Sequence, residues 1–151
     1  GAFATSIEHP PGRPLLGPSA HNLISSYYAP LLFAGPAAAR AGLKCLFGDQ
    51  SLFCRAADFR RAGGFNGELP IMEDADLCVR MHERGLASGK RGREVQLVWG
   101  APNRTSGRRL APMGALRSTI VHWRIALAWW RGAPPAALRR IYDEVYTDGY
   151  R

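Results

Sequence analysis

Apolar and polar positions fall in blocks along this chain, and the blocks predict an α/β succession. Residues 1–7 read as a strand, followed by a long loop through His9-Pro10-Pro11-Gly12-Arg13-Pro14 and Gly17-Pro18. From Ser19 to about Arg40 the chain is apolar, with Tyr27, Tyr28, Leu31, Leu32 and Phe33, which predicts a helix interrupted near Pro30 and Pro36. Leu43 to Phe47 and Ser51 to Arg55 are short apolar runs with the length of buried strands. Ala56 to Ala62 predicts one or two helical turns stopped by Gly63-Gly64. Leu77 and Met81, with the small Ala75 and Cys78, recur at helical spacing, while Arg80, His82, Glu83 and Arg84 fill the other face. Pro70 and Gly85 bound that helix. Glu94 to Trp99 alternates as a strand does. Two helices close the chain, Pro112 to Arg131 and Pro134 to Tyr146, the second with a proline in its first turn.

The most informative polar cluster opens the central helix. Glu73, Asp74 and Asp76 fall at or within its first turn, where unpaired N–H groups and the helix dipole stabilise negative charge. Capping is the commoner use of such residues. A general base is the other, because a hydroxyl attacks well only when a positioned group takes its proton. Asp74 ranks first for that role and Glu73 second; adjacent residues do not share a helical face, so their tasks differ. Asp76 reads as a dipole-stabilising charge.

Other segments carry double readings. Gly48-Asp49-Gln50 is an Asx-type turn or a ligand contact. Gly63-Gly64-Phe65 is a helix stop with backbone freedom, or the wall of a site. Asn103 to Arg109 gathers three arginines and two hydroxyls in a Gly-containing loop after a strand, and guanidinium forks match phosphate oxygens. In the helix from Ala115 to Arg131, Leu116, Ile120, Trp123, Leu127 and Trp130 make an apolar stripe, and Arg117, Arg124 and Arg131 recur every seven residues. That stripe either packs on the domain or lies at a membrane surface.

Composition narrows the classes. The chain has 151 residues, 46% apolar and 21% charged, enough for one globular domain with a core. Twenty basic against twelve acidic residues give +8, which favours an anionic partner. The basic residues are scattered and spell no nucleic-acid-binding signature, so nucleic acid is not expected. Cys45, Cys54 and Cys78 read as buried, reduced thiols of a cytoplasmic protein. His9, His21, His82 and His122 have no metal-ligand spacing.

The order Gly48-Asp49-Gln50, Phe53-Cys54-Arg55, Phe59 to Phe65, Met72-Glu73-Asp74, then Arg80 and Gly85 resembles the C-terminal half of inverting family 2 glycosyltransferases with the GT-A fold. It is closest to the subgroup in which Met-Glu-Asp precedes Thr-Ser-x-Arg-Arg, here Thr105-Ser106-Gly107-Arg108-Arg109, and the similarity covers most of the chain. The resemblance implies transfer of a hexosyl or related group from a nucleoside-diphosphate sugar to a sugar, lipid or small-molecule hydroxyl. Asp74 would be the base. Gly48, Asp49 and Gln50 would contact the donor sugar, Gly63, Gly64 and Phe65 would line the acceptor side, and Thr105, Arg108 and Arg109 would close over the diphosphate. A Mg²⁺ or Mn²⁺ would be bound mainly by an Asp-x-Asp in an N-terminal half that the chain, which starts Gly1-Ala2-Phe3-Ala4, is expected to lack. Residues 1–111 would then be the C-terminal half of the catalytic domain and residues 112–151 a helical pair packed on it. The Thr-Ser-x-Arg-Arg segment departs from the Gln-x-x-Arg-Trp of processive synthases, which points to single additions. The alternative is a non-catalytic membrane-surface or scaffold module built on the Trp/Arg helix.

Overall fold

The first strand finds its partner far along the chain: β1 (Ala2–Glu8) runs parallel to β2 (Leu97–Ser106). The computed structural model describes residues 1–87 and 95–146, which form a mixed α/β structure with this two-stranded sheet and six α-helices. Ala2 and Phe3 lie opposite Leu97 and Val98, whereas Thr5 to Glu8 lie opposite Asn103 to Ser106. Two steps on β1 (3 to 5) thus meet five on β2 (98 to 103), and the excess residues of β2, Gly100 and Pro102 among them, bulge out of the ladder. The bulge hides the period of two, so Asn103 to Ser106 read as loop in the sequence and are strand in the fold. Glu94, the expected start of this strand, lies outside the described residues.

The expected strands at Leu43–Phe47 and Ser51–Arg55 are extended but pair with no strand among the described residues. Their backbone groups bond elsewhere: Leu46 N–H to Cys78 Sγ at 3.4 Å, Phe47 N–H to Gln50 Oε1 at 2.8 Å and Phe53 N–H to Gly1 O at 2.8 Å. Cys45 N–H bonds the carbonyl of Ser26 at 3.3 Å. That carbonyl is available because Pro30, four residues on, has no N–H to give it. α1 (Leu16–Phe33) therefore runs through Pro30, and the helix breaks instead at Ala34 before α2 (Gly35–Arg40). α1 buries Pro18, Asn22, Ser25, Ser26, Ala29 and Pro30, a stripe of small and polar groups at helical spacing.

Two apolar clusters meet at α4 (Glu73–Ala87). One joins Ala2, Leu46, Cys78, Val95 and Leu97; the other joins Met72, Ala75, Val121 and Ile125. Met72 and Ala75 on one side and Cys78 on the other tie the start of α4 to both, so its first turn is held in place by burial. Cys45 and Cys78 are buried as expected, and burial pushes the Cys78 thiol up to about 12; Cys54 is exposed instead, as is Phe53 beside it.

α3 (Ala56–Arg61) is anchored by Arg80 of α4, whose guanidinium donates to Asp76 Oδ2 at 2.7 and 2.8 Å, to Gly64 O at 2.8 Å and to Ala62 O. Gly63 and Gly64 reach these positions through left-handed backbone, φ 86° and 70°. Arg80→Ala is expected to cost about 2–3 kcal/mol in urea unfolding, because three acceptors lose a charged donor. Arg80→Lys recovers part of this, lacking the fork.

α5 (Ala115–Trp130) and α6 (Pro135–Tyr146) close the described chain. α5 buries Ser118, Val121 and Ile125 and turns the stripe that includes Leu116, Ile120, Trp123 and Trp130 outward. α1 comes close to the start of α5: a Cβ on Gly17 would lie 2.5 Å from Ala115 Cβ.

Candidate functional site

A cavity of about 420 Å³ opens among α1, α5, the 47–49 turn, the start of α4 and the end of β2. Five segments distant in sequence meet there. The turn enters as a short 3₁₀ helix, Gly48–Gln50, and Gln50 fixes it from below. Its side chain is 1% exposed, donates from Nε2 to Ser26 Oγ at 3.0 Å, and accepts Phe47 N–H. Gln50 is thus a buried peg that does not line the cavity. Asp49, next to it, does, and its Oδ2 accepts from Asn22 Nδ2 at 2.7 Å while its carbonyl accepts from Asn103 Nδ2 at 3.0 Å.

Asp74 faces the same space from the first turn of α4. Its Oδ2 accepts the Gly48 N–H at 2.6 Å and its Oδ1 the Ala75 N–H at 2.7 Å. A carboxylate offers about four lone-pair sites, so both oxygens keep capacity for a further donor. Met72, just before this turn, holds φ 72°, a left-handed backbone costly for a side chain with a Cβ, and its burial in the second apolar cluster keeps it there. Burial pushes the Asp74 carboxyl up to about 6 against the pull of the Gly48 and Ala75 N–H groups, with Glu73 and Asp49 pushing the same way. Burial likewise pushes Asp49 up to about 6, opposed by its hydrogen bonds.

Glu73, Thr105 and Arg109 complete the polar wall, and Arg109 Nη1 donates to the Tyr142 hydroxyl at 3.0 Å. Gly48 is on the wall as well. Arg108 is exposed and stands off the wall, as do Gly63, Gly64 and Phe65. The two glycines lie at the Arg80 clamp, and Phe65 packs edge-on against Phe59 at 5.2 Å.

The opposite wall is aromatic, and the sequence reading passed over it. His21 and His122 stack at 5.9 Å, His21 Nδ1 lies 3.4 Å from the Tyr28 hydroxyl, and Tyr28 stacks on Trp123 at 5.2 Å. The signal available in the sequence was the polar pair His21-Asn22 inside an apolar helical run. Burial lowers the pKa of both histidines, and with His21 beside it His122 falls to about 4. The unfolded chain therefore binds more protons than the folded one between about pH 6.5 and 4, and these histidines lose stability on acidification. Asp49 and Asp74 act in the opposite sense, their raised pKa values adding stability as pH falls through about 6. In His122→Gln the urea midpoint should accordingly change more favourably from pH 7 to 4.5 than in the unchanged protein.

Mg²⁺ or Mn²⁺ does not fit the residues present as a self-contained site. Among the described residues no three His, Cys, Asp or Glu side chains converge. Comparison with known protein families, curated proteins and solved structures finds no match to this chain.

Proposed function

We propose that the protein transfers a sugar from a nucleoside diphosphate to an acceptor hydroxyl, with inversion, as part of a GT-A type glycosyltransferase. The observation that carries this reading is the meeting of Gly48-Asp49, Glu73-Asp74 and Thr105 with Arg109 around one cavity. These are segments through which the sequence resembles family 2 glycosyltransferases.

In this mechanism the acceptor O–H donates to an Asp74 oxygen. As the acceptor oxygen bonds to the anomeric carbon, its proton passes to Asp74 and the bond from that carbon to the diphosphate breaks. The electron pair leaves with the nucleoside diphosphate, and Arg109, on the cavity wall, would stabilise that charge. A carboxyl near 6 suits the base, being ionised at pH 7 yet still basic enough to take a proton. Asp49, Thr105 and Glu73 would orient the donor and the loop backbone.

The test is release of nucleoside diphosphate and formation of glycoside from a panel of nucleotide sugars and hydroxyl acceptors with Mn²⁺, on the product of the complete reading frame. Turnover that needs an acceptor supports the reading; absence of both turnover and nucleotide-sugar binding across the panel would overturn it. Where turnover occurs, the rate should rise with pH through about 6 as Asp74 loses its proton, which a pH–rate profile reads directly.

A further inference from the structure

We infer that the outward face shared by α1 and α5 docks this protein on a lipid bilayer with anionic headgroups. On α1, Leu16, Ile24, Tyr27 and Leu31 are 77%, 55%, 45% and 51% exposed. At about 100° per residue they share one side of the helix, opposite the buried stripe. On α5, Trp130, Trp123, Leu116, Leu127 and Ile120 follow one another within an arc of about 80°, and Arg131, Arg124 and Arg117 occupy the next about 40°. Leu116 is 76% exposed and Trp130 53%. The two helices touch through the Tyr28–Trp123 stack, and Trp123, near one edge of the α5 stripe, is 37% exposed. An outward apolar surface of this extent marks an interaction site.

Charge selects the occupant. α1 carries no charged side chain, and the charged residues of α5 are Arg117 and Arg124, with Arg131 at its C-cap. Neither helix has a carboxylate. Arg124 lies 4.0 Å from Glu144 on α6, both side chains more than half exposed, a separation that leaves the cation in reach of other anions. A second copy of this face would bring apolar strips together with arginines and no acidic partner from either helix. An anionic bilayer answers both parts, taking the Trp and Leu side chains at the headgroup boundary and the arginines at lipid phosphates or carboxylates. Each arginine near such a surface strengthens binding about fivefold.

The test is co-sedimentation of the protein with phosphatidylcholine vesicles, with and without about one-third phosphatidylserine, followed also by tryptophan emission. Binding and a blue shift are expected with the anionic vesicles, weakening as salt rises. Exchanging Arg117, Arg124 and Arg131 together for Gln should weaken binding about 100-fold, and Ile120→Asp should abolish it. These side chains are outward, and circular dichroism checks that each variant folds. Binding that ignores lipid charge and both variants would overturn the inference, as would no binding at all. A dimer in sedimentation velocity that Ile120→Asp dissociates, without vesicle binding, would give the face to a second copy. Docking asks nothing of Asp74, so vesicle binding and sugar transfer succeed or fail separately.

Discussion

Asp74→Asn is expected to lower the rate of sugar transfer by about 10²–10⁴-fold, the span a positioned general base contributes, while nucleotide-sugar binding is retained. The substitution separates the two uses of a carboxylate at a helix start. Asn caps a helix about as well as Asp, so if Asp74 served α4 alone, turnover and stability would both be little changed. As a base it fails, because an amide cannot take the acceptor proton at any working pH. Asn can still accept the Gly48 N–H through its oxygen, which keeps the 47–49 turn near its place. Glu73→Gln, whose side chain lines the cavity one residue earlier, should cost less than Asp74→Asn if Glu73 orients rather than reacts. Steady-state kinetics on both variants, with donor binding measured alongside, decide the matter, and equal turnover in Asp74→Asn and the unchanged protein would return the acidic turn to capping.

Gln50→Leu is expected to destabilise the fold by about 3 kcal/mol in urea unfolding. Leucine has similar bulk but satisfies neither Phe47 N–H, which bonds Gln50 Oε1 at 2.8 Å, nor Ser26 Oγ, which accepts from Nε2 at 3.0 Å. Ser26 is fully buried, so water cannot replace the lost donor. The effect should also reach the cavity, since Gln50 sets the turn that presents the Gly48 N–H to Asp74 and the Asp49 carboxylate to Asn22.

The helices with strong period were legible. α4 announces itself by spacing and α6 by the proline in its first turn, and the Gly63-Gly64 stop is where α3 gives way. The misreadings share a cause, since a pattern shows that a segment is apolar without showing what meets its backbone. Leu43 to Phe47 look like a strand because their side chains are buried, yet their N–H groups bond a helix carbonyl, a thiol and a glutamine. On α5 the strongest apolar stripe faces out, and the side with Ser118, Val121 and Ile125 packs inward. Of the candidate site, Gly48, Asp49, Glu73, Asp74, Thr105 and Arg109 reach one cavity. Gln50 and the Gly63-Gly64 pair turn out to hold neighbouring backbone. Asn22 and the His21–His122 stack came from pairings between segments that no local spacing records.

The parallel pairing of β1 with β2 sets a clock on biogenesis. Ala2 meets Leu97 and Glu8 meets Ser106, so β1 leaves the ribosome about 100 residues before its partner is complete. At ~5–20 residues per second that is roughly 5–20 s, during which Ala2 and Ile7, buried in the finished sheet, wait for the β2 side of their ladder. Contacts of such sequence separation form slowly even in the complete chain. Until β2 arrives, the edge of β1 that will meet it is open, and an open strand edge is a place where a nascent chain can associate aberrantly or engage a chaperone.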